Sequence, residues 1–178
     1  HEATIRDMAE LSLEMVGACG RTLEQIDSVG IGIPGVIDDR GVVPLLTNLF
    51  WRDVPLIERM QSYIPKPVYV ANDATVAGFA ESVAGVSAGT GSSVFVTLGT
   101  GLGGGVVIDG KPFVGAHGVG SEIGHMILVL GGVRCTCGNR GCWERYASAT
   151  GMIRMGRERM AAEPGGMIAR EAGAAERV

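Results

Sequence analysis

Lysine is scarce in this chain: Lys66 and Lys111 are its only two among 178 residues, and the net charge is −4 at neutral pH. Nothing in this balance is basic enough to suggest the surface with which a protein neutralises nucleic-acid phosphates, so no nucleic-acid contact is expected of this segment. No apolar run reaches the ~20 residues a membrane-spanning helix needs, so no membrane contact is expected either. The opening HEATIRDMAELSLEMV is amphipathic and acidic rather than basic and then greasy, so no signal peptide is expected in it. The motif G-x-x-x-x-G-K-[ST] does not occur, which excludes a P-loop, and there is no internal repeat. With 46% hydrophobic and 19% charged residues, the composition is that of a soluble protein able to bury a sizeable core, as one domain or two small ones. The chain starts on His1 and ends on EAGAAERV without a clear stop, so it is expected to be an excised piece of a longer protein.

What is present reads as alternating helices and strands. Ile5, Met8, Leu11, Met15 and Val16 stand at helical spacing over residues 3–17, and Gly20 ends that helix. SVGIGI reads as a short strand stopped by Pro34-Gly35, followed by a turn around Asp38, Asp39 and Gly41. A helix from about Pro55 to Tyr63 is broken by Pro65 and Pro67 before the strand PVYVA. NDATVAGFAESVAG reads as an Asx-capped helix of small residues, VFVTL as a fully buried strand, GTGLGGG as a turn and VVID as a second strand. Residues from Pro112 onward are expected to be irregular, and Trp143 to Met160 to be one helix. The class predicted is α/β, with one antiparallel glycine hairpin.

The most informative pattern is His125 followed by Cys135, Cys137 and Cys142, a C-x-C-x4-C array ten residues beyond the histidine. Three thiolates and an imidazole make a closed tetrahedral set suited to Zn²⁺, with sulfur about 2.3 Å from the ion. Gly131, Gly132, Gly138 and Gly141 let the loop turn sharply enough to converge the sulfurs. A disulfide is the competing reading, but C-x-C thiols rarely pair with each other and three leave one over. Cys19 stands alone, and free thiols beside a metal cluster fit a reducing cytoplasm.

Around this array lie further polar candidates. Gly99, Thr100, Gly101, Gly103 and Gly104 belong to a run that matches G-x-G-x-x-G, yet the β-branched residues after it make it join two strands rather than open a helix. Its amides can form an anion cradle with Thr100 adding a hydroxyl; a tight hairpin needing positive φ is the plainer alternative. Asn72-Asp73 sits where a strand ends and a helix begins. Capping explains it, and so does a carboxylate placed to accept a proton from a substrate hydroxyl, a role worth about 10²–10⁴ in rate. Glu122 and Glu144 flank the metal loop, either supporting the histidine or accepting hydroxyls of a polar ligand. His1 and His117 have no such company and read as surface residues.

GIGIPGVID (30–38), TNLFW (47–51), VANDA (70–74), LGTGLGGG (98–105), SEIGHM (121–126) and CTCGNRGCWE (135–144) together resemble, in order and spacing, the ROK family of bacterial sugar kinases and sugar-responsive repressors. The resemblance spans roughly residues 20–150 and is nearest to the family's glucose kinases. It implies an actin/hexokinase-like (ribonuclease H-like) two-lobe fold, incomplete at both ends, with residues 1–70 in the N-terminal lobe and 71–178 in the C-terminal lobe with the zinc loop. It implies ATP-dependent phosphorylation of a hexose hydroxyl, with Asp73 as general base. Gly35, Asn48, Asn72, Glu122, His125 and Glu144 would hold the sugar, while Gly99, Thr100, Gly101, Gly103 and Gly104 would hold ATP phosphates bridged by Mg²⁺. His125, Cys135, Cys137 and Cys142 would carry a structural zinc. A cytoplasmic homodimer or tetramer is implied as well.

Three departures from the family pattern stand out. Ser121 replaces a glycine beside Glu122, Trp143 replaces the commoner leucine, and the family's first phosphate loop, Asp-x-Gly-Gly-Thr, does not occur. The piece alone is therefore expected to bind ATP poorly and to be inactive. The alternatives are a sugar-sensing transcriptional repressor of the same family, a kinase for N-acetylglucosamine, N-acetylmannosamine or fructose, and a non-enzymatic zinc module.

Overall fold

The structure is a computed structural model that describes residues 1–46 and 49–175. The chain forms two compact units: residues 1–95 with 105–121, and residues 96–104 with 122–178. The lobe boundary expected after residue 70 stays part of the functional proposal.

In the first unit, helix α1 (Glu2–Ala18) is followed by strand β1 (Val29–Ile33), strands β2 (Val43–Leu46) and β3 (Trp51–Val54), helix α2 (Leu56–Tyr63), strand β4 (Val68–Asn72) and helix α3 (Asp73–Ala84). β1 runs parallel to β4, with Val29 opposite Val68 and Ile33 opposite Asn72. β2 and β3 pair antiparallel, Leu46 facing Trp51. Parallel neighbours need a long crossover between them, and here β2, β3 and α2 supply it. Ile5 and Ala9 of α1, Ile33, Val43, Leu46, Trp51, Val54, Leu56, Met60, Ile64 and Val68 close into one core.

The buried stripe of α1 differs from the expected one. Ile5, Met8 and Ala9 face the core, whereas Leu11 and Met15 are more than half exposed. A stripe through positions 5, 8 and 9 follows the i, i+3, i+4 rule, and it leaves residues 11 and 15 on the flank. The Asx cap of α3 is as expected: Asn72 Oδ1 accepts the Thr75 N–H at 3.0 Å.

Strand β5 (Ser93–Leu98), strand β6 (Leu102–Ile108) and the short β7 (Lys111–Pro112) lie side by side in that order. The expectation of a fully buried β5 is overturned, because Val94 and Leu98 are each 66% exposed. Alternate residues of a strand face opposite sides. Phe95 turns toward α3 while Val94, Val96 and Leu98 share the other face, which no layer covers among the described residues. The glycine turn is also shorter than expected: β6 starts at Leu102, so Gly103, Gly104 and Gly105 are strand residues. Gly105 serves packing, since a Cβ there would lie 2.8 Å from Ala74 O and 3.0 Å from Gly78 Cα.

The second unit contains the loop from Glu122 to Trp143, helix α4 (Glu144–Ala147), helix α5 (Ala149–Ala162) and helix α6 (Met167–Ala175). The single helix expected from Trp143 to Met160 is broken at Ser148, whose backbone is extended at φ −80° and ψ 165° and whose side chain caps α5. Among the described residues no helix is long and apolar enough to cross a membrane.

Candidate metal centre and polar site

The loop of the second unit is built to converge sulfurs. A short 3₁₀ turn, Ile123–His125, carries the histidine, and Gly124 within it has no room for a side chain because a Cβ would fall on Leu102 O. Residues 127–142 fold back on themselves through the bridges Ile127–Cys142 and Arg134–Arg140. Cys135 N–H donates to Asn139 O at 2.8 Å and Gly138 N–H to Cys135 O at 3.1 Å, closing the C-x-C-G turn. Gly138 (φ 97°) and Gly141 (φ 84°) take left-handed backbone conformations that L side chains rarely adopt.

The ligand atoms of His125, Cys135, Cys137 and Cys142 all lie within 4.8 Å of one another. Cys137 Sγ is 3.6 Å from Cys142 Sγ, and Cys135 Sγ is 3.7 Å from His125 Nδ1. A tetrahedron on Zn²⁺, with the metal about 2.3 Å from sulfur and 2.0–2.1 Å from nitrogen, has edges of about 3.8 Å between sulfurs and 3.6 Å from sulfur to nitrogen. These spacings fit. The four cysteines of the chain are free thiols, which removes the disulfide reading for this structure and leaves a cluster able to hold a metal ion.

Cys135 and Cys142 are buried and Cys137 is exposed. Burial, joined by the Glu144 carboxylate, pushes the Cys135 thiol up to about 12. Burial raises the Cys142 thiol too, helped by the Cys137 sulfur. For Cys137 burial also acts upward, but the Asn139 N–H and the two neighbouring thiols outweigh it, so that thiol falls below its ordinary value.

Both flanking carboxylates touch this cluster. Glu144 Oε1 accepts the Cys135 thiol at 3.1 Å, and Glu122 Oε2 lies 4.0 Å from His125 Nε2. The imidazole therefore turns Nδ1 to the sulfurs and Nε2 toward a carboxylate, the arrangement that sets the tautomer of a ligating histidine. Glu144 reaches further: its Oε2 lies 3.1 Å from where a Cβ on Gly101 would stand. Neither Gly99 nor Gly101 has a positive φ, so the hairpin-strain explanation for these two glycines does not apply. Gly101 leaves room for that carboxylate, the far end of a flexible side chain.

In the first unit, Asn72 Nδ2 donates to Gly35 O at 3.4 Å, which draws the ends of β4 and β1 together. Asp73 is exposed at the start of α3, its Oδ1 accepting the Ala74 N–H at 2.8 Å. Gly35, Ile37, Asn72, Thr75 and Gly115 are among the residues lining a cavity of about 240 Å³, slightly below the ~300–1,000 Å³ of drug-sized sites and suited to a small polar ligand. Ser121, expected to stand beside a sugar wall, is instead consumed within this unit. It is 5% exposed, donates to Phe113 O at 2.7 Å and accepts the Val106 N–H at 3.1 Å. Asn48 lies outside the described residues. His117 is exposed.

Two residues near the glycine loop escaped the sequence reading. Ala149 N–H donates to Gly99 O at 2.9 Å, and the Thr150 hydroxyl to Thr100 O at 2.8 Å; Ser148 caps the helix that carries both. A serine at position 148 is by itself an ordinary N-cap residue, but nothing local pointed to contacts fifty residues away.

The sequence profile of the ROK family matches residues 3–176. Glucokinase of Streptomyces coelicolor is 40% identical over 145 residues, covering 81% of this chain and 46% of that protein. Xylose repressor of Bacillus subtilis is 36% identical over 126 residues, covering 71% of this chain and 33% of that protein. The crystal structure of a ROK glucokinase from Streptomyces griseus, in complex with glucose and AMPPNP, superposes with a TM-score of 0.73 at 36% identity, covering 89% of this chain and 51% of that one. The chain thus spans about half the length, or less, of these relatives. Their architecture is the actin/hexokinase-like one expected from the motifs.

Proposed function

Because the chain belongs to the ROK family, we propose that the protein it represents is an ATP-dependent sugar kinase that phosphorylates a hexose hydroxyl, with glucose as the preferred acceptor. The observation that carries this reading is the Asn72-Asp73 pair at the carboxyl end of β4. Asn72 caps α3 through Oδ1 and tethers Gly35 through one of its two Nδ2 hydrogens, which leaves the other to a ligand, while Asp73 keeps an exposed carboxylate beside it. The carboxyl ends of strands are where open α/β sheets bind ligands, and the relatives include glucokinases. Repressors of the family usually lose the regular glycine loop and often the Asn-Asp pair; this chain keeps both.

In this reading Asp73 accepts the proton of the sugar hydroxyl as that oxygen attacks the γ-phosphorus of ATP, and ADP leaves with the electrons of the broken P–O bond. Gly35, Asn48, Asn72, Glu122, His125 and Glu144 hold the remaining hydroxyls. Gly99, Thr100, Gly101, Gly103 and Gly104 form the segment that meets the phosphates; the Gly99 N–H is used within the turn, on Gly101 O at 3.0 Å, which leaves the Thr100 and Gly101 amides to face them. Phosphoryl transfer asks the protein mainly to position reactants and offset charge. Mg²⁺ supplies charge neutralisation on the phosphates. Zinc would be held by His125, Cys135, Cys137 and Cys142 and would supply a rigid staple; with Nδ1 facing the sulfurs, His125 Nε2, which lies 4.0 Å from Glu122 Oε2, would be left to donate to a sugar hydroxyl. The lobe assignment, 1–70 and 71–178, a homo-oligomeric state and a cytoplasmic setting complete the proposal.

The test is to supply the full-length protein with MgATP and a panel of glucose, N-acetylglucosamine, N-acetylmannosamine and fructose, measuring ADP release. Turnover highest with glucose is expected; no turnover with any sugar overturns the reading. The similarity to a xylose repressor keeps a second reading, a sugar-responsive regulator. It predicts sugar binding without ADP release, together with sugar-sensitive DNA binding by the full-length protein.

A further inference from the structure

The glycine loop is gripped from one side by the first turn of α5. Gly99 O accepts the Ala149 N–H at 2.9 Å, and Thr100 O accepts the Thr150 hydroxyl at 2.8 Å. Thr150 Oγ1 lies 3.1 Å from Ser148 Oγ, which in turn accepts the Gly151 N–H at 3.1 Å. Ser148 is 1% exposed, so its hydroxyl has a fixed place, and the pair forms a small relay between the helix cap and the loop.

The consequence follows from peptide geometry. The described chain has no cis peptide bond, and in a planar trans peptide the C=O and the following N–H point in opposite directions. Drawing the carbonyls of Gly99 and Thr100 toward α5 therefore turns the N–H groups of Thr100 and Gly101 away from it. Consecutive amides presented together form a concave site for an anion. An unanchored loop rich in glycine would have to order these amides at the moment of binding, at an entropic cost.

We propose that Thr150, held by Ser148, is a positioning residue that orients the Thr100 and Gly101 amides toward the polyphosphate chain of a nucleotide. The inference rests on the kinase reading above and assigns a task within that site to residues outside its motifs. Thr150 touches neither sugar nor phosphate in this scheme; it acts through the backbone.

The experiment compares Thr150→Val, which keeps the shape and removes the hydroxyl, with Thr150→Ser, which keeps the hydroxyl. For the full-length kinase, Thr150→Val raises KM for ATP about three- to tenfold, the worth of one hydrogen bond, with KM for the sugar and the thermal midpoint unchanged. Thr150→Ser returns KM for ATP to within about twofold of wild type on the same scale. An unchanged KM for ATP in Thr150→Val overturns the inference, and so does an equal loss toward both substrates, which marks a merely structural role. A second measurement stands apart from catalysis: the backbone amide resonances of Thr100 and Gly101 are followed while tripolyphosphate or MgATP is added. Shifts in the wild type that disappear in Thr150→Val support the inference even if turnover is absent and the kinase reading fails. Amides that respond to neither anion, or equally in both proteins, overturn it. A response to MgATP but not to tripolyphosphate assigns the loop to a nucleotide rather than to a free phosphate chain.

Discussion

Cys135 gives its thiol hydrogen to Glu144 Oε1 across 3.1 Å, and the other oxygen of the same carboxylate lies 3.1 Å from where a Cβ on Gly101 would stand. One side chain thus lies between the sulfur cluster and the glycine loop.

Metal binding should release protons. The Cys135 and Cys142 thiols are raised above their ordinary value, so both are protonated at neutral pH in the metal-free chain, and a zinc ion must displace those protons to gain thiolates. Affinity therefore rises with pH, by about tenfold per pH unit for each proton released. Calorimetric titration with Zn²⁺ in buffers of different ionisation enthalpy measures the proton count; a value of zero would show that the sulfurs are not the ligands. Chelation of bound metal should lower both the thermal midpoint and sugar affinity.

Asp73→Asn in the full-length protein should cut kcat by about 10²–10⁴ while leaving sugar affinity near wild type, because asparagine keeps the shape and loses the base. ADP release and equilibrium sugar binding read the two halves of this statement. Full retained turnover would overturn Asp73 as the general base.

Gly78→Ala sets two effects against each other. Alanine is the better helix former by up to about 1 kcal/mol, but the new Cβ would lie 2.9 Å from both Gly105 Cα and Phe95 Cβ. Backbone cannot retreat as a flexible side chain can, so overpacking wins, with a net loss of about 1–3 kcal/mol. Urea unfolding of the variant decides the sign.

Asp38 shapes its turn by accepting the Val42 N–H at 2.9 Å and the Arg40 N–H at 3.0 Å, with the Arg40 guanidinium on its second oxygen. The Val42 amide first, then the Arg40 side chain, hold its carboxyl below the ordinary value. A carboxyl lowered by folding contributes stability above its unfolded pKa, near 3.9, and loses it as pH falls through the lower folded value. The difference in thermal midpoint between wild type and Asp38→Ala should therefore be steady from pH 6 to 8 and shrink below about pH 4. A difference independent of pH would mean that the turn does not depend on the charge.

The metal set was legible because its logic is local: three sulfurs within eight residues, with glycines between them, converge whatever surrounds them. The helix cap at Asn72 was legible for the same reason. The face of β5 was not. VFVTL reads alike as a strand buried on both sides or on one, and only the packing of Phe95 against α3 decides which residues look outward. The helix after Trp143 was misread because its break at Ser148 leaves the helical periodicity almost unchanged.

From residue order alone come the ligand array, the Asn72-Asp73 junction and the glycine run, because bond geometry and spacing constrain each within a few residues. The tertiary structure alone decided that Gly105 is small to admit a helix, that Glu144 comes to stand near Gly101, and that Thr150 holds a carbonyl fifty positions earlier. Such contacts join segments remote in the chain, and what brings them together is the packing of helices on strands.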